Sequence, residues 1–466
     1  VSTQSRVVRS LWCERAMVDT GGIADAVRIG IDAGGSVVSA VPGTEPQDGD
    51  EVLPGVAVPA AANAHSHAFH RALRGRTHDR GGTFWTWRET MYRAAGALTP
   101  ELYEELATAV YAEMVTVGFT SVAEFHYVHH RPDGSPYGQG TDGADPHAME
   151  LALARAAVQA GIRLTLLDTC YLAGGFGTPL DDVQRRFSDG TAVHWLERLA
   201  SLRTTIGALY APQQVSVGAA IHSVRAVPAG ELAVIARHLP DELPLHVHLS
   251  EQHAENEECL RATGRTPTGL LQHHGLVTDR LSAVHATHVT DEDIGLLAHA
   301  GAVVVLCPTT EADLADGLGP AGDFRSAGVD LALGTDQHAV VDPWLEMRAL
   351  EHGERLRTGS RGHFDPHALH GIASLGGSRA QNRAGPGFGA GQVADYMVVD
   401  ARSTRTAGSA ADQLAYSATG QDVTGVVVGG VVMARDGVHA TLGDPGELVA
   451  AAIARLDAET YPREHH

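Results

Sequence analysis

His65 and His67 stand two residues apart at the end of the apolar run Val56-Ala-Val-Pro-Ala-Ala-Ala-Asn-Ala-His65-Ser66-His67. Side chains alternate faces along a strand, so positions two apart point the same way. A His-x-His pair at a strand end therefore aims two imidazoles at one point, which suits a divalent transition metal such as zinc. Two ligands do not complete a site. Further donors recur at the ends of later apolar runs: His248 in Leu245-His-Val-His-Leu-Ser-Glu251, His285 in Val284-His-Ala-Thr-His288, and Asp336 in Leu333-Gly-Thr-Asp336. Three or four imidazoles and one carboxylate, all at strand ends, can converge on one ion. The chain carries 27 histidines, so a single His-x-His pair would mean little by itself. Its coincidence with donors at the other strand ends favours a metal site over ordinary buried or solvated histidines.

Such ends meet only if the strands run parallel around a ring. Apolar runs occur near 56–62, 120–125, 163–167, 215–221, 245–249, 282–286, 302–306 and 330–333, each followed by loop residues and a helical stretch. Eight strands alternating with helices predict an α/β fold, a (β/α)8 TIM barrel, whose active sites lie at the C-terminal strand ends. A helix is expected over 100–117, with Thr99 as cap, Pro100 at the first position and Gly118 as stop. Leu102, Leu106, Val110 and Met114 form its apolar stripe. The two ends of the chain read differently. Short runs at 26–31, 35–38, 394–399, 426–428 and 430–433, separated by glycines and turns, suggest antiparallel sheets. They predict one small, discontinuous β-sandwich domain built from both termini. The expected division is 1–57 and 389–466 for that domain, the latter with a terminal helix, and 58–388 for the catalytic barrel. The glycine-rich stretch 385–391 reads as a turn-rich return, not a dinucleotide loop, because no strand precedes it.

Composition narrows the chemistry. The formal charge of −22 argues against nucleic acid or an anionic membrane as partner. No apolar run is long enough to cross a bilayer. The first residues carry no signal-like apolar core, so a cytoplasmic location is expected. Cys13, Cys170, Cys259 and Cys307 are scattered, with no C-x-x-C pair, which gives no support to disulfides or a cysteine zinc site. Lysine is absent: all 34 basic residues counted as Lys+Arg are arginine. A lysine Schiff base, a Walker lysine and a carbamylated lysine bridging two metals are thereby excluded.

The pattern His65-Ser-His67, His248, His285 and Asp336 resembles the amidohydrolase superfamily in its mononuclear deaminase branch. A closer resemblance, to the formimidoylglutamate deiminase (N-formimino-L-glutamate iminohydrolase) family, is carried by several stretches. They are Asn63-Ala-His-Ser-His-Ala-Phe69, Phe84-Trp-Thr-Trp-Arg-Glu89, Ala123-Glu-Phe-His-Tyr-Val-His-His130, Gly175-Phe-Gly177 with Gln184-Arg-Arg-Phe187, Val284-His-Ala-Thr-His288 and Thr310-Glu-Ala312. The resemblance implies that His65, His67, His248 and Asp336 hold one divalent metal, expected to be zinc. It also implies Glu251 as proton shuttle and His285 as the group that polarises the water or the developing tetrahedral centre, with Asp336 counted in the catalytic set.

For a small dicarboxylate substrate the resemblance implies Arg88, Tyr127, His222 and Arg225, with His70 at a position where the family usually has glutamine. Arginine forks match carboxylates bidentately. Each arginine singly reads as a surface charge; as a set beside the metal donors in an acidic chain, they read as binding groups. Arg88 follows Trp85 and Trp87 in an expected loop after the first strand, which the two tryptophans are expected to pack. His126, His129, His130 and His338 lie near the same rim, as ligand-orienting or solvated groups. The expected activity is metal-dependent hydrolysis of N-formimino-L-glutamate to N-formyl-L-glutamate and ammonia, by a homodimer. Two alternatives stay open: a deaminase of the same branch acting on another imino, guanidino or heteroaromatic compound, and an inactive metal-binding scaffold.

Overall fold

The computed structural model describes residues 6–18, 22–78, 84–139 and 143–460. Four strands open the chain: β1 (Arg9–Val18), β2 (Gly22–Ile31), β3 (Val37–Val41) and β4 (Glu51–Pro59). Eight follow in alternation with helices: β5 (Ala61–Ser66), β6 (Phe119–His126), β7 (Arg163–Cys170), β8 (Val215–Ser223), β9 (Leu245–Leu249), β10 (Leu281–His285), β11 (Val303–Leu306) and β12 (Asp330–Leu333). Four more close the chain: β13 (Tyr396–Val399), β14 (Val423–Val428), β15 (Val431–Arg435) and β16 (Val438–His439).

Strands β5 to β12 pair in chain order, every neighbour parallel. Helices cover them outside, so strands such as β6, β9 and β11 are buried along their whole length, polar positions included. The ring closes between β12 and β5. Thr335 and Asp336 donate their backbone N–H groups to the His65 carbonyl at 3.0 Å, and His67 N–H donates to the Asp336 carbonyl at 3.1 Å. Asn63 fastens the seam, accepting from Thr335 N–H at 3.1 Å and donating to its hydroxyl at 2.7 Å. This is the (β/α)8 barrel read from the sequence. At its N-terminal end, Gly376 and Gly377 press against the strands. A Cβ at either would lie 2.0–2.1 Å from the carbonyl oxygens of Leu331 and Ala62, so only glycine fits.

The remaining strands form a second sheet in the order β16-β15-β14-β13-β4-β1-β2-β3. It draws on both ends of the chain, as expected, and has its own core of Leu11, Cys13, Val27, Ile29, Leu53, Tyr396, Val398 and Val427. Within it β4 runs parallel to β1 and antiparallel to β13, with Pro59 opposite Tyr396. The apolar run 56–62 does not form one barrel strand. It is shared between β4 and β5, and the crossing falls at Ala60, whose N–H donates to Asp395 while that of Ala61 donates to Gly118. Both stretches are buried, so composition leaves the crossing unmarked.

Helix Pro100–Thr116 forms as its signals require: the Thr99 hydroxyl accepts from Leu102 N–H at 3.3 Å, and Gly118 takes φ +110°. No helix among the described residues is long and apolar enough to cross a membrane.

Candidate active site

The ring closure sets His65, His67 and Asp336 side by side, and β9 brings His248 across from them. His248 Nε2 lies 3.2 Å from His65 Nε2 and 3.3 Å from His67 Nε2. Asp336 Oδ1 lies 3.3 Å from His65 Nε2 and 3.4 Å from His67 Nε2. The His67 Nδ1–H donates to the Phe125 carbonyl at 2.8 Å, which leaves its Nε2 lone pair facing the cluster. Burial pushes the imidazole of His67 down to about 3 and those of His65 and His248 below their usual value, so all three are neutral near pH 7. Burial opposes ionisation of Asp336, but its contact with His65 and the charge of the nearby His285 hold its carboxyl well below the usual range.

Lone pairs converging in a dry pocket are costly unless a cation lies among them. Four of the six edges of this quartet are thus 3.2–3.4 Å, close to the edges of roughly 3.3–3.4 Å of a tetrahedron with bonds of about 2.0–2.1 Å. Three neutral imidazoles and one carboxylate thus fit a divalent metal in both distance and charge.

His285 ends β10. Its Nδ1 lies 3.4 Å from Glu311 Oε1, and its Nε2 faces Glu251 Oε1 and Asp336 Oδ2, each at 4.0 Å. Burial disfavours its charge, yet Glu251, Glu311 and Asp336 together push it up to about 10. Burial raises the Glu251 carboxyl. The backbone here is unusual: Ser250, His285, Ala286, Asp336 and His338 all take positive φ, between 42° and 68°. Non-glycine residues held this way collect where a fold is fixing functional groups.

The cluster opens on a small cavity, with about 70 Å³ of space open to water. His67, His248, Glu251, His285 and Asp336 line it, and so do all five expected binding residues: His70, Arg88, Tyr127, His222 and Arg225. Tyr127 follows β6, His222 lies in β8 and Arg225 just beyond. Arg88 is not on a loop: it belongs to helix Phe84–Ala97, which also turns Trp87, Met91 and Tyr92 toward the cavity. Trp87 therefore lines the site rather than merely packing a loop, whereas the Trp85 side chain lies outside the described residues. His70 Nε2 and the Tyr127 hydroxyl are 3.1 Å apart, and burial holds His70 neutral. Arg225 makes no hydrogen bond or ion pair among the described residues.

Residues 56–433 match the profile of the Amidohydrolase family. The chain belongs to that family. It is similar to the formimidoylglutamate deiminase of Pseudomonas aeruginosa, with 38% identity over 446 residues, covering 92% of this chain and 96% of the relative. It is also similar to the 5-methylthioadenosine/S-adenosylhomocysteine deaminase of Nitratidesulfovibrio vulgaris, at 28% identity over 82% of this chain and 80% of the relative. Among solved structures, an amidohydrolase from Brucella melitensis superposes with a TM-score of 0.86 at 34% identity, covering 96% of this chain and 99% of that one.

Four histidines left unassigned by sequence are buried and stand outside this amidohydrolase cavity. His338 Nε2 lies 3.0 Å from the Ser66 hydroxyl, which donates to Glu124 at 2.7 Å, directly behind the His-x-His pair. His126 and His129 meet Glu150 at 3.4 and 2.9 Å, and His130 meets Asp189 at 3.1 Å. Arg198 sits among Glu150, Asp168 and Asp189 at 2.9 Å from each, so a cation already occupies the centre of that network. Sequence reasoning missed Glu311, Tyr92, Tyr171, Phe187 and Leu314. Of these only Glu311 and Phe187 fell inside quoted motifs.

Proposed function

We propose that this amidohydrolase hydrolyses N-formimino-L-glutamate to N-formyl-L-glutamate and ammonia, with one zinc ion held by His65, His67, His248 and Asp336. What supports the reading is a shared cavity. Arg88 and Arg225, in a chain of net charge −22, line the same space as the metal donors, Glu251 and His285. A substrate with two carboxylates needs such a pair of cations; the similarity to the Pseudomonas aeruginosa deiminase points the same way.

A bound divalent metal supplies Lewis-acid chemistry, lowering the pKa of water from ~16 to roughly 7. The chain's own groups do the rest. Arg88 and Arg225 hold the carboxylates, with Tyr127, His222 and His70 shaping the space between. Oxygen from water bonds to the formimino carbon, and the Glu251 carboxylate takes the proton this releases. His285 Nε2, its ring fixed from behind by Glu311, donates to the tetrahedral centre as charge develops there. Glu251 then delivers its proton to the departing nitrogen; as the C–N bond breaks, the added oxygen closes to the formyl carbonyl and its remaining hydrogen also passes to that nitrogen, which leaves as ammonia.

A heteroaromatic amine is the rival substrate, favoured by the aromatic lining of Trp87, Tyr127 and Tyr171. Ammonia release from N-formimino-L-glutamate by zinc-loaded protein, run beside adenosine, separates the two. No ammonia from the former overturns the proposal. The family resemblance adds a cytoplasmic homodimer, which light scattering would test.

A further inference from the structure

The turn Gln184–Phe187 stands behind the cavity wall, and Gln184 is only 2% exposed. Its Oε1 accepts from Asp181 N–H at 2.9 Å. A backbone N–H can only donate, so this contact fixes which way the amide faces. The Gln184 Nε2 group is thereby turned to two phenols, donating to the Tyr92 hydroxyl at 2.9 Å and to the Tyr171 hydroxyl at 3.0 Å. Arg88 donates to the same Tyr92 oxygen from Nε and Nη2, at 2.8 and 2.5 Å. Every polar group found on these two hydroxyls is therefore a donor. Each phenol also carries a hydrogen of its own, and neither has a protein acceptor among the described residues except the other phenol. One bond between them uses one hydrogen and leaves the second. Both rings line the cavity. Burial raises the Tyr171 phenol further, so it keeps its proton at any working pH. Phe187 packs against both rings, with centroids 6.2 Å from Tyr92 and 5.5 Å from Tyr171, and holds them in place.

A wall that presents a guanidinium beside an uncommitted phenol hydrogen calls for an anionic acceptor with two oxygens. We propose that Tyr92 and Tyr171 are substrate ligands that donate to the carboxylate bound by Arg88, and that Gln184 is the positioning residue that turns their hydrogens toward it. That this carboxylate belongs to N-formimino-L-glutamate rests on the function proposed above; the subsite itself suits any dicarboxylate of similar reach. The purely structural alternative is a closed hydrogen-bond network that no ligand touches.

The test is calorimetric binding of glutarate to zinc-loaded protein. The double variant Tyr92→Phe/Tyr171→Phe keeps both rings and removes both hydrogens, and is expected to weaken glutarate about tenfold or more. Gln184→Glu keeps both phenols but offers them an acceptor away from the ligand. It is expected to weaken glutarate similarly and to raise KM for N-formimino-L-glutamate about tenfold, with kcat changed less than threefold. Glutarate affinity within twofold of wild type in either folded variant overturns the proposal, as does a wild type that binds no glutarate. If glutarate behaves as expected but wild type releases no ammonia from N-formimino-L-glutamate, the subsite stands and the proposed reaction falls.

Discussion

Replacing Arg225 by alanine separates binding from folding more cleanly than any other change at the site. Arg225 is half-buried and lines the cavity, yet it has no hydrogen-bond or ion-pair partner among the described residues. Its removal orphans no acceptor, so the fold should lose no more than about 0.5 kcal/mol, the range for substitutions away from packed or paired groups. The substrate carboxylate does lose a partner. A hydrogen bond to a charged group contributes about 1.5–3 kcal/mol, and 1.4 kcal/mol is a factor of ten, so kcat/KM should fall roughly 10- to 150-fold. Initial rates of ammonia release across a range of N-formimino-L-glutamate give kcat/KM directly, and thermal unfolding of the same sample monitors the fold. A variant that unfolds with wild type and keeps kcat/KM within twofold would refute the reasoning, because Arg225 would then hold no carboxylate.

Glu251→Gln should keep its metal, since no donor of the cluster is lost, while turnover drops at least about 100-fold; metal analysis beside rate measurement checks both, and full turnover would remove the proton shuttle. His248→Ala removes one vertex of the donor set and should lower zinc from one per chain to well below it, read by elemental analysis after dialysis. Glu346 illustrates pH dependence. Burial pushes its carboxyl up to about 8, although Thr309 donates to it from its backbone N–H and hydroxyl. The folded state therefore keeps a proton that the unfolded chain gives up near pH 4.3, and this group makes stability fall as pH rises from there toward 8. Glu346→Gln should flatten that slope, and urea midpoints at pH 5 and 8 that change equally in variant and wild type would sink the assignment.

The barrel and the donor cluster were legible because each rests on a period or a repeated position. Eight apolar runs with helical intervals define a ring, and His65, His67, His248, His285 and Asp336 sit at the same relative place in their runs. What escaped reading has a physical reason in each case. Tyr92 and Met91 lie on helix Phe84–Ala97, where aromatic and apolar residues at helical spacing look like ordinary core, and Arg88 on that helix was read as a loop residue. Tyr171, Phe187 and Leu314 come from connections whose direction no periodicity records. Glu311 meets His285, a contact between neighbouring β-α units that only the closed barrel creates. The strand crossing at Ala60 was hidden because both sheets bury their share of one apolar run.

The place of β4 has a consequence for biogenesis. One of its flanks is met by β1, made a few dozen residues earlier, while the other waits for β13, which emerges only after the entire barrel has been synthesised. Throughout that interval a ribosome-bound chain exposes a row of unsatisfied amides and carbonyls beside Val56, Ala57 and Val58, the kind of rim on which chains stick to one another. Nascent molecules are thus most prone to clump just before completion, and a chain cut at residue 390 should sediment where the full-length product stays dispersed.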